Sequence, residues 1–236
     1  MKKQIERINQ LLINHFGIPE RQKKLPDPLD IIIGTILSQN TNDKNSYKAY
    51  LNLKSNINSW EDVLSLKTSQ IERIIKVAGL GKQKAKAIKN LLKNLKKYHG
   101  KLSLTHLKKK SDDEVLDELI LHKGIGVKTA SCVLLFAFDR NVCPVDTHVH
   151  RILNRVGVVE TSNPEKTFNE IKSHIPKGAA HSFHTNLLRL GREYCTPTNP
   201  KCYECPIENV CNYKEKNFTI KKLTKQNNFF LLDSIK

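Results

Sequence analysis

The chain has 236 residues, enough for one large domain or two lobes, and 39% of them are hydrophobic, which excludes a disordered polymer. Lysine and arginine number 40 against 23 acidic residues, so the formal net charge is +17, and it is spread along the whole chain. This balance favours a polyanionic partner, most simply nucleic acid, because basic groups displace condensed counterions from phosphates. A generally basic, solvated surface is the alternative explanation of the same charge.

The sequence gives no sign of membrane insertion or secretion. No apolar run approaches the ~18 residues that a membrane helix needs. Residues 1–16 interleave charges with apolar residues at helical spacing and lack the continuous apolar core of a signal peptide. We therefore expect no membrane partner and a cytoplasmic location, associated with the nucleoid if the source is prokaryotic. Six cysteines in a reducing compartment argue against a disulfide scaffold.

Helical periodicity with capping signals dominates the chain, and few strand patterns appear, so the fold class is predicted to be all-α. The first helix is expected over residues 4–16. Pro26 and Pro28 then break the chain. Residues 29–37, LDIIIGTIL, are apolar all round and predict a buried helix. The polar stretch 38–43, SQNTND, is predicted to be a loop.

Three capping boxes follow, in which a serine at the N-cap is paired with an acidic residue three positions later. The pairs are Ser59 with Asp62, Ser69 with Glu72, and Ser111 with Glu114. They predict helices near 60–65, 70–77 and 112–121. Residues 79–100 combine a glycine turn with a lysine-rich helix, whose lysines either contact phosphates or face solvent. Further helices are predicted over 127–138, 147–156, 164–175 and 179–194.

A cysteine-rich segment near the C-terminus follows the pattern C-x6-C-x2-C-x5-C, and its members are Cys195, Cys202, Cys205 and Cys211. Four thiolates at this spacing can converge on one metal centre. Zinc and a [4Fe–4S] cluster both accept four cysteines, so the spacing leaves both open. Cys132 lies inside an apolar helix and is expected to be a small core residue.

A glycine turn, Gly124-Ile125-Gly126, precedes the helix predicted at 127–138. The glycines permit the positive φ and close approach that let backbone N–H groups face a phosphate, and Lys123 adds a point charge. Lys128 follows in the first helical turn, where the helix N-terminus and a basic surrounding disfavour its charged form. A neutral amine there could attack a sugar C1′ and form a Schiff base. An ordinary helix–helix turn with a surface lysine is the alternative.

Asp146 precedes the helix predicted at 147–156 and is a good N-cap for it. A carboxylate held rigidly near Lys128 could also hold the attacking amine and balance positive charge that develops at the sugar. His148 and His150 are two residues apart on that helix and face different directions, so we expect surface or packing roles rather than metal ligation.

Together these motifs resemble the endonuclease III family of helix-hairpin-helix DNA glycosylases. The resemblance covers most of residues 1–215 and is carried by the segments 29–43, 124–138, 144–157 and 195–211. It implies a two-lobed α-helical fold with a C-terminal [4Fe–4S] cluster loop. One lobe is a helical barrel domain at 25–137 that contains the hairpin. The other is an iron–sulfur cluster domain formed by 1–24 with 138–211, and 212–236 is a basic tail.

The resemblance also implies roles for single residues. Lys128 corresponds to the Schiff-base nucleophile, Asp146 to the assisting aspartate, and the four cysteines to the ligands of a [4Fe–4S] cluster. Double-stranded DNA with a damaged base or an abasic site would lie across the groove between the lobes, with the base flipped out, and the protein would act as a monomer. DNA contacts are expected from Asn40, which would fill the space that the flipped base leaves. Further DNA contacts are expected from Lys123, Gly124, Gly126 and Lys201.

The expected activity is that of a bifunctional DNA glycosylase and apurinic/apyrimidinic lyase of base excision repair, acting on oxidised pyrimidines. One alternative is a monofunctional glycosylase that removes adenine or thymine from mispairs. A non-catalytic protein that grips DNA with the hairpin is another. The family's hairpin usually reads Leu-Pro-Gly where this chain has His122-Lys123-Gly124, and the loop 38–41 is closer to a sub-branch of the family. Both departures bear on the base that is removed rather than on the chemistry.

Overall fold

The computed structural model describes residues 1–219, which are helices and connecting loops without a β-strand among them. This confirms the all-α prediction for that part of the chain. The described residues divide into two compact units. Residues Gln22–Asp139 form the central unit, whereas Met1–Arg21 and residues 140–219 form the terminal unit. Residues 220–236, most of the predicted basic tail, lie outside the described residues.

The described residues of the central unit fold into helices α2 (Pro28–Ser38), α3 (Asp43–Ser55), α4 (Trp60–Ser65), α5 (Thr68–Ile74), α6 (Gly81–His99), α7 (Asp112–Ile120) and α8 (Val127–Cys132), and α8 continues as a π-helical turn over Val133–Ala137. The α2 helix is the core of this unit, because it packs against α3, α6 and α8 and buries every residue of 28–37 except Asp30. Asp27 caps it by accepting a 2.8 Å hydrogen bond from the Leu29 N–H, and Pro28 occupies the first helical position. The predicted buried helix is confirmed.

The loop predicted over 38–43 is present, although it ends at Asn42, which caps α3 by accepting a 2.9 Å hydrogen bond from the Asn45 N–H. Helix α3 itself was not predicted. Few residues of α3 are buried, so its apolar periodicity is weak. This explains why the helix was not predicted. The predicted Ser69 capping box is not formed, since α5 begins at Thr68 and has Lys67 as its N-cap. The boxes led by Ser59 and Ser111 are confirmed.

The described residues of the terminal unit contain α1 (Lys2–Phe16), α9 (Thr147–Val156), α10 (Pro164–Ile171) and α11 (Ala180–Glu193), followed by a loop that carries the cysteines. Helix α11 packs against both α1 and α9. A Cβ at Gly191 on α11 would lie 2.8 Å from the Cβ of His148 on α9, so glycine permits this close helix contact. Within residues 1–219, no helix has the length and apolarity that a membrane span requires.

Candidate functional site

Helices α7 and α8 are joined by residues 121–126, which we call the hairpin. The Ile125 N–H closes its turn by donating a 3.0 Å hydrogen bond to the His122 carbonyl. Gly124 has a φ of +94°, and a Cβ there would lie 2.8 Å from the Cβ of Ala87 on α6, so a larger residue does not fit. Gly126 is the N-cap of α8, and a Cβ on it would meet nothing within 4 Å. The hairpin is therefore packed tightly on its inner side and open where α8 begins.

Lys128 is the second residue of α8 and is half-buried. The residues that follow it are fully packed, with Thr129 at 3% exposure and Ala130 at 0%. Helix α8 itself packs against α2 and α7. Lys128 thus extends from a well-packed helix. A nucleophile requires such support if it is to be held in one attack geometry. Lys123, by contrast, lies exposed in the hairpin, as a phosphate contact would require.

The loop after α2 is tied to the hairpin by Gln39, a residue that sequence analysis did not select. Its Nε2 donates to the Gly124 carbonyl at 3.1 Å and contacts the Thr129 Oγ1 at 3.3 Å. The next residue, Asn40, is exposed and adopts a left-handed backbone conformation with a φ of +50°. Gln39 therefore fixes the segment that presents Asn40. No local pattern could reveal this pairing, because its partners lie 85 and 90 residues away in the chain.

A second turn of the central unit, Gly79-Leu80-Gly81, presents an exposed apolar side chain. Leu80 is the N-cap of α6, has a φ of +49° and is 46% exposed. Apolar side chains presented in this way are the kind that DNA-bending proteins insert between base steps. The glycine turn is recognisable from the sequence, and the available signal for Leu80 is an isolated leucine between two glycines.

Lys84 joins these two segments from within the core. It lies on α6, is only 2% exposed, and its Nζ donates 2.8 Å hydrogen bonds to the carbonyls of Leu37 and Ala78. Leu37 ends the buried stretch of α2 just before the loop of Asn40, and Ala78 precedes the turn of Leu80. One buried ammonium therefore satisfies two carbonyls that would otherwise be left unpaired at helix ends.

This buried lysine should make stability depend on pH. Burial lowers the pKa of Lys84 from 10.5 to about 8, so between these values the unfolded chain binds more protons than the folded chain. The free energy of unfolding should therefore rise by up to about 3 kcal/mol as the pH increases from about 8 to about 10.5. Measured by urea unfolding across this range, the free energy of the wild type should rise by this amount relative to that of Lys84→Met, in which the other titrating groups are unchanged. Parallel profiles for the two proteins would contradict the prediction.

Asp146 caps α9, as predicted. One carboxylate oxygen, Oδ1, accepts hydrogen bonds from the N–H groups of His148 and Val149, both at 2.9 Å. Burial lowers the pKa of His148, whose Nδ1 lies 3.1 Å from a guanidinium nitrogen of Arg151. Two backbone bonds thus hold the carboxylate of Asp146 in one orientation. It belongs to the terminal unit, whereas Lys128 belongs to the central unit.

The four predicted cysteine ligands converge in the terminal unit. One cavity is lined by Cys195, Cys202, Cys205 and Cys211, together with Lys201 and other charged and apolar residues. Burial raises the pKa of Cys205 to about 12, and burial likewise raises the pKa of Cys211, to which the other cysteines add repulsion. Four thiolates in this cavity would need a cationic centre to offset burial and mutual repulsion.

The four cysteines line one cavity, so they are placed to bind one metal centre.

Arg155, a residue not selected from the sequence, contacts the sulfur of one of these cysteines. It lies on α9, and its Nη1 donates to the Cys195 Sγ at 3.4 Å and to the Thr196 carbonyl at 2.8 Å. The guanidinium also lies over the ring of Tyr213, 4.4 Å from its centroid. A cation that donates a hydrogen bond to a thiolate sulfur offsets part of the negative charge of a metal centre bound by that sulfur.

Comparisons with known proteins agree with this arrangement. A family model described as "HhH-GPD superfamily base excision DNA repair protein" matches residues 33–177. Endonuclease III of Thermotoga maritima is 33% identical over 210 residues, which cover 89% of this chain and 92% of that protein. A non-covalent endonuclease III–DNA complex is similar in structure, with a TM-score of 0.74, 27% identity, and coverage of 89% of this chain and 95% of that one.

A trapped covalent endonuclease III–DNA intermediate, an estranged-adenine complex, gives a TM-score of 0.75 at 25% identity, with 89% of this chain and 95% of that one covered. The family match spans more than half of the chain and contains the hairpin, Lys128 and Asp146. The chain therefore belongs to the HhH-GPD superfamily of base excision DNA repair proteins and, within it, to the endonuclease III-type DNA glycosylase/AP lyases.

Proposed function

We propose that this glycosylase is bifunctional, removes oxidised pyrimidines from duplex DNA, and acts through a Schiff base on Lys128. The observation that carries the proposal is the placement of Lys128 in the first turn of α8, directly behind the open start of that helix at Gly126. In the sequence, this amine comes directly after the residues whose backbone N–H groups would face a DNA phosphate. The same short segment therefore supplies both the grip and the nucleophile.

The proposed chemistry begins with the neutral amine of Lys128. Its nitrogen forms a bond to C1′ of the damaged nucleotide, while the glycosidic bond breaks and its electron pair leaves with the base, which takes up a proton. The nitrogen then loses a proton, and its electron pair forms the C1′–N double bond while the ring C1′–O bond breaks and the ring oxygen takes up a proton. An imine then joins Lys128 to the sugar. Loss of a proton from C2′ expels the 3′ phosphate by β-elimination and cuts the strand. Water hydrolyses the imine and restores the lysine.

Asp146 is proposed to assist the displacement of the base. Positive charge develops at the sugar as the glycosidic bond breaks, and an ionised carboxylate stabilises it most when its orientation is already fixed. The two backbone bonds to Asp146 Oδ1 provide that fixed orientation. Capping and catalysis are therefore compatible roles of one side chain.

The cysteine set is proposed to hold a [4Fe–4S] cluster, with Cys195, Cys202, Cys205 and Cys211 as its ligands. Support comes from the cavity that the four cysteines line and from the similarity of the chain to endonuclease III proteins. The cluster would supply a structural centre, around which this loop folds and presents Lys201.

Duplex DNA with a damaged base or an abasic site is the proposed substrate, bound by the monomer. The exposure of Asn40, Lys123, Gly124 and Gly126 supports contacts from the central unit, and the partial exposure of Lys201 supports one from the terminal unit. We propose Leu80 as an additional contact, because its exposed apolar side chain suits insertion between base steps.

Borohydride trapping tests the proposed function, because borohydride reduces the imine to a stable amine and leaves a protein–DNA adduct. Wild-type protein should form this adduct with duplexes that contain one abasic site or one thymine glycol, and it should nick both. Duplexes with adenine opposite 8-oxoguanine or thymine opposite guanine test the monofunctional alternative. Base release from these mispairs without any adduct would overturn the proposal. Binding without base release on any duplex would favour the non-catalytic alternative.

A further inference from the structure

We propose that His99, His106 and Glu118 form a binding site for a divalent transition metal ion, with Zn²⁺ as the ion that it suits best. The three residues come from separate segments of the central unit. His99 ends α6, His106 lies in a 3₁₀ turn over Thr105–Lys109, and Glu118 lies on α7. This site is independent of the cysteine set, which belongs to the terminal unit, and of the chemistry proposed for Lys128.

The geometry already brings the possible ligand atoms together. One ligand atom from each of the three residues lies within 4.8 Å of the others. The His99 Nε2 is 3.7 Å from the Glu118 Oε1, and the His106 Nε2 is 2.7 Å from the same oxygen. Ligand atoms around a tetrahedral zinc ion are about 3.4 Å apart. The first distance fits this geometry, and the second must widen by less than about 1 Å, which side-chain rotation can provide.

The chemistry of the donors selects the ion. Two imidazole nitrogens and one carboxylate oxygen are a known zinc ligand set, which leaves a fourth position for water. Imidazoles favour zinc, copper and nickel over magnesium and calcium, which prefer oxygen ligands. The side chains of His99, His106 and Glu118 are 34%, 24% and 21% exposed, so an ion can enter from solvent.

Lys110 makes a competing contact. Its ammonium pairs with Oε2 of Glu118, the carboxylate oxygen that does not contact the histidines. The rings of His99 and His106 are stacked with their centroids 4.1 Å apart, so one imidazole must rotate out of the stack to direct its Nε2 lone pair at the ion. An ion bound there would replace the hydrogen bond between His106 and Glu118, and the positive charge of Lys110 would oppose it. Removal of Lys110 should therefore strengthen metal binding.

The position of the site suggests its consequence. Glu118 is four residues before His122, the second residue of the hairpin. The His122 Nδ1 lies 3.2 Å from the Asn94 Nδ2 on α6. A metal ion held by His99 and Glu118 would join the end of α6 to α7 directly. We therefore expect the bound ion to stabilise the base of the hairpin.

Isothermal titration of Zn²⁺ into the protein with its cysteine centre intact tests the proposal. Wild-type protein should bind a Zn²⁺ ion that His99→Gln and Glu118→Gln each weaken by more than about tenfold, since even outer partners of metal ligands contribute that much. His174→Gln, a histidine of the terminal unit, is the matched control and should bind as the wild type does. At zinc concentrations about a hundredfold above Kd, the Tm should rise by roughly 5–10 °C.

Lys110→Gln keeps the proposal testable if the ligand variants fold poorly, because it is expected to gain affinity. Loss of an exposed ion pair should strengthen Zn²⁺ binding by about two- to fivefold. Zinc binding that is absent in the wild type, or equally strong in wild type, His99→Gln and Glu118→Gln, would overturn the site. Zinc binding that is unchanged in Lys110→Gln would show that Glu118 does not hold the ion.

Discussion

Replacement of Lys128 by glutamine should abolish the borohydride-trapped adduct and reduce the rate of base release by about three orders of magnitude or more. Glutamine keeps the length and polarity of the side chain but has no amine that can form an imine. The substitution lies in a packed helix, where only the half-buried end of the side chain changes, so the Tm should remain close to that of the wild type. Single-turnover rates on a thymine-glycol duplex, with trapping on the same duplex, provide the measurement.

Lys123→Gln is the matched control for this experiment, because it removes an exposed lysine of the same hairpin. It should retain the adduct, and its DNA affinity should fall similarly on all sequences. The slope of log affinity against log salt should decrease by about 1, as expected for the loss of one phosphate contact. An adduct that persists in Lys128→Gln would remove Lys128 from the mechanism, whereas loss of the adduct in both variants would indicate a binding defect.

Asp146→Asn should separate the two roles of this side chain. Asparagine caps helices as well as aspartate does, and its Oδ1 can accept the bonds from His148 and Val149, so the Tm should change little. The negative charge is lost, and the rate of base release should fall by about 10²–10³, the effect of removing one preorganised electrostatic group.

Asp146→Ala is the comparison that calibrates this result. It removes both charge and cap, and the missing cap should lower the free energy of unfolding by about 1 kcal/mol. Thermal unfolding and single-turnover rates should be measured on both variants. Wild-type rates in Asp146→Asn would show that Asp146 is only a helix cap. Equal losses of stability in both variants would show that asparagine does not preserve the cap, and the rates could not then be assigned to charge.

Much of the helical architecture follows from local signals. The apolar stretch of α2 predicts a buried helix, because exposing any face of it to water would cost free energy. The capping boxes at Ser59 and Ser111 satisfy backbone N–H donors with side chains a few residues away. Such interactions are complete within a few residues. Helix α3 is different, because its N-terminal half is polar and its few buried residues are held by α2. Only the partner helix makes its position clear.

The candidate site divides in the same way. The hairpin glycines, Lys128 and the capping role of Asp146 are recognisable from the sequence, because each depends on the few residues around it. The cysteine spacing likewise predicts a metal centre, because four closely spaced thiolates can converge on one site.

The sequence by itself thus determined most of the helices, the hairpin glycines and the spacing of the cysteines, since these rest on short-range backbone and side-chain rules. Only the tertiary structure decided which distant residues hold them in place. Gln39 bonds the hairpin across 85 residues, Lys84 bonds α2 across 47, and His99 meets Glu118 only because α6 and α7 are brought together. The partners in these contacts are far apart in the chain, so the contacts depend on tertiary packing and cannot be recognised from a short sequence segment.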